Sequence, residues 1–388
     1  MISYGKQTIE KDDIEAIVDV LNGDWLTQGP AIDLFEKDLC DYFGSEYACA
    51  VSNGTAALHL AAIALGWSKG DIILTTPITF LASVNCIYYV GATPDFVDIH
   101  PESYTIDVEK LELKIKDYIA KGKKVKAVIG VDYAGHPCDW NHLREIADNY
   151  NIQLVNDNCH AMGATYNNNK QYAVEKADLV TQSYHPVKHI TTGEGGAILT
   201  NNPKINNRVR ILRSHGMIKD DSLMDENHGP WYYEMHEPGY NYRITDFQCA
   251  LGSSQLKKLD RFIDLRTKVA NHYTKSFNKT NVITTPKISE KIKHAFHIYP
   301  IQIDFDKITL NKVDFFNEMR SRGINLQVHY IPVHLQPFYK KNYGYIKGDF
   351  PIAENFYFNT ISIPIYPSID DRDLRKVINN IQSLLGSQ

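Results

Sequence analysis

A lysine that precedes a glycine-rich turn is the first candidate for chemistry in the sequence. Lys188 follows a predicted buried strand at residues 179–184 and precedes the turn at residues 193–196. A lone lysine among polar neighbours is usually solvated, but we expect this one to project into the crevice at the end of a sheet. A partly desolvated lysine has a lowered pKa and can act as an amine nucleophile. His185 and His189 raise the alternative of a metal site, which we disfavour because their spacing matches no known ligand pattern.

An acid and a histidine follow a second predicted strand, at residues 152–157. Asp157 ends this strand, and His160 lies three residues further on, where it could face the same ligand. The carboxyl ends of buried parallel strands form the crevice in which α/β sheets bind ligands. Asp157 could coordinate a metal, accept a proton, pair with a cationic ring nitrogen or cap the next segment. The pattern alone leaves these roles open.

Residues 52–58, Ser-Asn-Gly-Thr-Ala-Ala-Leu, follow a strand and begin a helix. The free N–H groups and the positive end of the helix dipole at such a turn favour an anion, and Thr55 adds a hydroxyl donor. The alternative is an ordinary helix cap supplied by Asn53 or Thr55. The motif indicates a phosphate site only in combination with other features.

The three motifs together match the needs of pyridoxal 5'-phosphate. The helix turn would hold the phosphate, and Asp157 would keep the pyridine nitrogen protonated so that the ring accepts electrons. Lys188 would hold the aldehyde as a Schiff base and move the proton. An aromatic side chain should stack on the ring, and Phe80 follows another strand end.

These residues must be positioned by a sheet, because short β-branched runs alternate with helical stretches over the first two-thirds of the chain. The runs are residues 47–52, 72–76, 93–99, 125–132, 152–157, 179–184 and 197–200, and the helical stretches include residues 56–64, 108–120 and 140–150. Such alternation predicts parallel strands with crossover helices, and hence a layered α/β domain. The connection before the last run is too short for a crossover helix, so we expect that strand to be antiparallel.

A different pattern follows residue 250. Residues 251–277 have apolar positions at helical spacing and predict one long connecting helix. Beyond it we predict strands at residues 297–303, 325–330 and 361–365, and helices at residues 313–322 and 371–385. The prediction is a large cofactor-binding α/β domain with an N-terminal arm over residues 1–250, and a smaller α+β domain over residues 251–388. Residues 218–240 predict a long ordered loop of the functional kind.

Composition excludes several classes of protein. The 388 residues include 41 Lys and Arg against 46 Asp and Glu, a net charge of −5, so no global basic field is available for nucleic acid. Six cysteines without a close pair favour reduced thiols over a disulfide framework or a zinc ribbon. With neither signal-peptide features nor a long apolar run, we expect a cytoplasmic protein without membrane contact.

Several motifs carry a family resemblance over nearly the whole chain. They are residues 53–58, 157–160, 183–196, 213–217 and 239–243. In these motifs the chain resembles the DegT-type nucleotide-sugar aminotransferases, pyridoxal-phosphate enzymes of the aspartate-aminotransferase fold. The resemblance implies fold type I, an α/β class, with a three-layer α/β/α large domain, a mixed and mainly parallel sheet of about seven strands and a smaller α+β domain. It also implies a homodimer with shared active sites.

The resemblance assigns roles to particular residues. Lys188 looks like the Schiff-base lysine, Asp157 like the partner of the pyridine nitrogen, and His160 like another neighbour of the ring. We predict all three to be catalytic residues. The implied contacts to the cofactor are Thr55, Ala56, Phe80, Asp157, His160, Ser183, Lys188 and, across the dimer interface, Asn241. Residues 156–160 read Asn-Asp-Asn-Cys-His where the family usually has Glu-Asp-Ala-Ala-His, but the reactive Asp and His are kept.

Within the family, the chain is most similar to the 4-aminotransferases of the pseudaminic-acid pathway. This likeness implies a UDP-linked 4-keto-6-deoxy-N-acetylhexosamine as acceptor and L-glutamate as donor. The implied sugar-nucleotide contacts are Tyr4, Asp24, Trp25, Leu26, Thr27, Gln327, Val328, His329 and Tyr330. Spore-coat or O-antigen enzymes acting on 3-keto or dTDP-linked sugars remain alternatives, as does a non-catalytic regulator that binds the cofactor. Lys188 favours transamination over the related sugar 3-dehydratases, in which histidine replaces the lysine.

Overall fold

The computed structural model describes residues 1–386, so the last two residues of the predicted second domain lie outside the described part. The α-helices are α1 (Lys11–Leu21), α2 (Pro30–Phe43), α3 (Gly54–Ala64), α4 (Ala82–Tyr89), α5 (Val108–Ala120), α6 (Trp140–Tyr150), α7 (Tyr172–Lys176), α8 (Pro203–Arg213), α9 (Asp246–Leu256), α10 (Leu259–Phe277), α11 (Lys312–Ser321), α12 (Pro337–Tyr343), α13 (Pro351–Asn359) and α14 (Asp371–Leu384). The strands are β1 (Tyr47–Val51), β2 (Ile72–Thr75), β3 (Thr93–Phe96), β4 (Val125–Val131), β5 (Gln153–Asp157), β6 (Thr165–Tyr166), β7 (Leu179–Ser183), β8 (Gly196–Thr200), β9 (Met217–Ile218), β10 (Glu234–Met235), β11 (Ile283–Thr284), β12 (Ile292–Lys293), β13 (Tyr299–Ile303) and β14 (Thr360–Ile363).

A seven-stranded sheet in the order β1-β8-β7-β5-β4-β2-β3 forms the centre of the molecule. Its strands coincide with the seven runs predicted from the sequence. Strand β8 is antiparallel to both of its neighbours, and the other strands are parallel. The predicted mixed, mainly parallel sheet and its antiparallel last strand are confirmed. The carboxyl ends of β2, β4, β5 and β7 therefore meet at one edge.

Helices cover both faces of this sheet, which makes three layers. Successive residues of a strand point to opposite faces, so Ala48 and Ala50 of β1 pack in one core while Cys49 and Val51 pack in the other. Helices α2, α5, α6 and α9 contribute to the first core, and α3, α4 and α8 to the second. Burial on both faces explains why the strands read as continuous apolar runs.

A smaller antiparallel sheet, β11-β13-β14, has its own core. Helices α10, α11 and α14 supply its apolar side chains, among them Tyr273, Phe315 and Val377. This agrees in kind with the predicted α+β segment, but the boundary at residue 250 stays a prediction. Among residues 1–386, no helix has both the length and the apolar character needed to cross a bilayer.

The predicted single helix over residues 251–277 is wrong, because α9 ends at Leu256 and α10 begins at Leu259. The break turns Lys258 toward α1, where its Nζ lies 2.8 Å from Oδ1 of the fully buried Asp13. Ser254 and Gln255 donate hydrogen bonds to the same carboxylate. The predicted helix is thus interrupted at the end of α9, where polar side chains bind the buried carboxylate of α1. The spacing of apolar residues along the chain gives no sign of such a tertiary contact.

The predicted strand at residues 325–330 is also wrong. Gln327 forms an isolated antiparallel bridge with Ser362 of β14, in which the two residues exchange backbone hydrogen bonds. Further along, side chains replace the ladder, since Tyr133 donates its hydroxyl hydrogen to the carbonyl of His329 and the His329 ring bonds to Ser362. The backbone pairs with β14 at Gln327, and from His329 onward the bonds involve side chains, so the segment forms a bridge and not a strand. At residues 218–240, the short pair β9–β10 closes the base of the predicted loop.

Candidate active site

A cavity of about 860 Å³ opens at the edge where the parallel strands end. Its volume lies within the usual range for small-molecule sites. The sequence-predicted residues that line it are Tyr4, Thr55, Ala56, Phe80, Asp157, His160, Ser183, Lys188, Gln327, Val328, His329 and Tyr330. Segments more than 300 residues apart in the chain thus meet in one site.

Lys188 reaches the cavity from the segment between β7 and β8. The surrounding protein lowers the pKa of this lysine, because burial disfavours the charged amine, while Cys159 and Asp157 oppose the shift. Nζ lies 3.5 Å from Nε2 of His297. The amine is therefore closer to its neutral, nucleophilic form than a solvated lysine would be.

Asp157 lies at the carboxyl end of β5 and is 5% exposed. Ser83, at the start of α4, donates to its Oδ2 over 2.6 Å, and the N–H of Cys159 donates to Oδ1 over 3.2 Å. Both bonds fix the carboxylate without placing a cation directly on it. The group can still accept a hydrogen bond from a protonated ring nitrogen in the cavity.

The amino end of α3 forms a third wall of the cavity. Asn53 caps the helix by accepting the N–H of Ala56 over 2.8 Å, as the alternative interpretation of this motif required. A Cβ on Gly54 would lie 2.8 Å from the Cβ of Ser183, and one on Gly196 would lie 2.6 Å from the backbone of Asn53. The two glycines therefore let the helix end approach β7 and β8 closely, beside the hydroxyls of Thr55 and Ser183.

His160 has a defined tautomer. The N–H of Ala134 donates to Nδ1 over 3.3 Å, so Nδ1 carries a lone pair and the hydrogen lies on Nε2. Nε2 is 3.1 Å from the hydroxyl oxygen of Tyr330, which therefore accepts this hydrogen. Burial and the nearby Lys188 hold the pKa of His160 well below its usual value, so the ring is neutral. The Tyr330 hydroxyl keeps its own hydrogen free for another acceptor.

Five predicted site residues lie outside this cavity. Asn241 is exposed, and its backbone forms an isolated bridge with Ser214. Residues 24–27 are exposed as well, with Trp25 58% and Leu26 49% accessible. Within one chain these residues do not contact the cavity.

Sequence reasoning missed several cavity residues. Ser83 binds Asp157, and Tyr242 and His297 also line the cavity. Ser83 lies one helical turn after Thr79, and their hydroxyl oxygens are 2.8 Å apart. The strand end that precedes Phe80 was therefore a usable signal for Ser83, three residues further along the chain. No local pattern marks His297, which lies just before β13 of the other sheet.

Pyridoxal 5'-phosphate fits this arrangement of groups. The cavity offers a partly desolvated amine, a buried carboxylate with a free lone pair, and a helix amino end flanked by two hydroxyls. They complement an aldehyde, a cationic ring nitrogen and a phosphate, respectively. The glycine at position 54 lets the amino end of α3 lie against Ser183, which brings the two hydroxyls together at the proposed phosphate position.

Comparisons with known proteins agree with this site. The chain matches the DegT/DnrJ/EryC1/StrS aminotransferase family over residues 7–382. It is 38% identical over 385 residues to the UDP-4-amino-4,6-dideoxy-N-acetyl-beta-L-altrosamine transaminase of Campylobacter jejuni, covering 99% of this chain and 98% of that protein.

Two solved structures are similar throughout. One is the Helicobacter pylori aminotransferase PseC, involved in the biosynthesis of pseudaminic acid, with a TM-score of 0.89, 30% identity and 99% coverage of both chains. The other is a sugar aminotransferase of Streptococcus pneumoniae in its PLP form, with a TM-score of 0.88, 27% identity and coverage of 98% and 97%. Together they confirm fold type I and the cofactor class. The chain belongs to the DegT/DnrJ/EryC1/StrS aminotransferase family and is a pyridoxal-phosphate-dependent sugar aminotransferase.

Proposed function

We propose that this enzyme transfers the amino group of L-glutamate to the 4-keto group of a UDP-linked 4-keto-6-deoxy-N-acetylhexosamine. The product would enter a surface glycan of the pseudaminic-acid type, and the reaction would take place in the cytoplasm. The observation that carries the reaction class is that Lys188 and Asp157 line one cavity beside the amino end of α3. The Campylobacter transaminase, similar over 99% of this chain, supports the choice of sugar.

The proposed roles follow from the position of each group. When bound, pyridoxal phosphate supplies an electron-accepting ring that makes a proton on the carbon beside the transferred nitrogen removable. Lys188 would remove that proton and return it to the carbon on the other side of the transferred nitrogen, which a neutral amine can do. Asp157 holds the ring nitrogen protonated, and Ser83 keeps the carboxylate oriented.

The remaining cofactor contacts anchor and cover the ring. Thr55, Ala56 and Ser183 hold the phosphate at the amino end of α3, where N–H groups and the helix dipole favour an anion. Phe80 stacks on the ring, and its side chain is 54% exposed toward the open site. His160 lies beside the ring as a neutral group that Ala134 and Tyr330 orient.

Glutamate and the sugar nucleotide use the same cavity in turn, because both half-reactions need the amine of Lys188. Tyr4 and residues 327–330 form the wall away from the parallel sheet, and we assign them to the sugar nucleotide. The Tyr330 hydroxyl, which has a free hydrogen, can donate to a sugar oxygen. Burial lowers the pKa of His329 to about 3, so this ring stays neutral beside an anionic substrate.

The active enzyme is proposed to be a homodimer with shared sites. Asn241 and residues 24–27 lie outside the cavity of their own chain and are exposed. In this arrangement Asn241 contacts the cofactor phosphate in the other subunit, while Asp24, Trp25, Leu26 and Thr27 contact its sugar nucleotide. The exposed rings and aliphatic groups of Trp25 and Leu26 suit burial at such an interface.

A substrate panel tests the proposal. Adding glutamate alone should shift the visible absorbance to the pyridoxamine form, and subsequent addition of UDP-linked 4-keto sugar should restore it. Matched 3-keto and dTDP-linked sugars are run in parallel, and products are identified by mass spectrometry and NMR. Preference for a 3-keto or dTDP-linked sugar would reject the proposed acceptor. Loss of the sugar 3-hydroxyl would indicate a dehydratase, and no spectral response to any amino donor would indicate a non-catalytic binder.

A further inference from the structure

His297 is a buried cavity residue that none of the roles above employs. It is 4% exposed and lies between β12 and β13, far along the chain from Lys188. Its Nε2 lies 3.5 Å from Nζ of Lys188, and its ring centre is 4.3 Å from that of His160. The ring is thus held between the amine and a second imidazole.

The backbone of His297 is fixed at both of its polar groups. Its N–H donates to the carbonyl of Ala134 over 2.9 Å, and its carbonyl accepts a hydrogen bond from the guanidinium of Arg266 over 3.2 Å. Ala134 is also the residue whose N–H orients His160. The short turn that follows β4 therefore positions both imidazoles. The backbone of His297, and with it the distance from its ring to the amine, is held by these hydrogen bonds.

Within residues 1–386, Nδ1 of His297 has no hydrogen-bond partner. Burial holds the pKa of His297 well below its usual value, so the ring carries only one N–H hydrogen. A buried N–H without a partner is rarer than a buried acceptor without one. The favoured tautomer therefore leaves the bare lone pair on Nδ1 and places the hydrogen on Nε2, toward Lys188.

An N–H directed at Lys188 can bond only to an amine that has a lone pair. We propose that His297 is a positioning residue that donates its Nε2 hydrogen to the neutral amine of Lys188 and so keeps that amine unprotonated and aimed into the cavity. The inference rests on the proposed role of Lys188. The other titratable groups around the amine are Asp157 at the end of β5, Cys159 and His160 just after it, His189 on its own segment, and His329 and Tyr330 on the opposite wall.

The test compares H297Q with H297L, two side chains of similar size of which only glutamine has an N–H to donate. The full chain, freed of cofactor, is labelled with acetic anhydride across a pH series, and the acetylation of Lys188 is followed by mass spectrometry. In H297L the labelling midpoint should rise and labelling near neutral pH should fall about fivefold, as expected for one lost hydrogen bond. H297Q should stay near the wild type. H294L is the control, because His294 is buried nearby but bonds to the Phe296 N–H.

A second measurement needs no variant. NMR of the imidazole nitrogens in the wild-type chain should show His297 neutral, with its hydrogen on Nε2. Hydrogen on Nδ1, equal labelling of H297Q and H297L, or a lower midpoint in H297L would each overturn the inference. Failure of the proposed function is a separate result, in which K188A retains wild-type turnover.

Discussion

Asn241 lies outside the cavity that contains Lys188, and the proposed shared site therefore predicts that two inactive variants can restore each other. Lys188→Ala removes the amine. Asn241→Asp changes little but charge, and in a shared site it places a carboxylate beside the phosphate of the other subunit. At about 4 Å and an effective dielectric constant of about 20, each pair of unit charges repels by about 4 kcal/mol, which weakens cofactor binding about a thousandfold. Each variant alone should therefore be inactive at limiting cofactor.

In the proposed homodimer, mixing the two variants would produce dimers in which one site carries both defects and the other carries neither. With random re-association of equal amounts, about half of the dimers are mixed, so about a quarter of the wild-type activity should return. Two controls are available. Lys188→Ala mixed with Asp157→Asn should show no rescue, because both residues line the same cavity of one chain. Asn207→Asp makes the same charge change on the exposed surface of α8 and should remain active alone.

The assay measures turnover after re-equilibration, with subunit exchange demonstrated independently by mass spectrometry of differently labelled chains. If Asn241 only shapes its loop, each defect stays in its own subunit. Exchanged mixtures would then have no activity above that of the separate variants, and the shared site would be refuted.

Three further outcomes are expected. Lys188→Ala should lose turnover and the absorbance of cofactor joined to the lysine while keeping its circular dichroism, and turnover at the wild-type rate would exclude the assigned role. Asp157→Asn should still bind the cofactor by absorbance but lose at least about a hundredfold in kcat, since an amide holds the ring nitrogen protonated less well; full activity would mean that another group pairs the ring. Glu36→Ala should lower the free energy of unfolding by about 3 kcal/mol in denaturant titration, because the 4% exposed Glu36 binds both Arg210 and Arg213. The exposed control Glu46→Ala should change it by less than about 0.5 kcal/mol, and equal effects would contradict the buried network.

The sequence predicts the large sheet well because its signals are local. Strands such as β4 are buried on both faces and so consist of apolar runs, and Lys188, Asp157 and Thr55 each follow such a run. Because the carboxyl ends of parallel strands lie at the same edge of a sheet, the sequence also predicts that these residues lie close together. These features follow from composition and order along the chain.

The errors arise where distant residues determine the local structure. The break between α9 and α10 depends on the contact of Lys258 with Asp13, which no helical period encodes. The segment at residues 325–330 has strand-like composition, but it pairs with β14 by its backbone at Gln327 and bonds to Tyr133 and Ser362 through side chains further along. His297 enters the cavity for a similar reason, through a backbone bond to Ala134.

Arg266 links the smaller sheet to the chemistry at the larger one. It is 1% exposed, and within the described residues it has no carboxylate partner; burial lowers its pKa to about 10, so it remains charged at neutral pH. Its Nη1 lies 3.1 to 3.2 Å from the carbonyl oxygens of Phe296, His297 and Ile365 and shares its two hydrogens among them. A buried cation solvated by three carbonyls holds the segments beside β13 and β14 in fixed positions on α10, because losing it would leave those acceptors unpaired. The backbone of His297, the neighbour of Lys188, is therefore held by a residue of α10, a helix whose apolar side chains belong to the core of the smaller sheet.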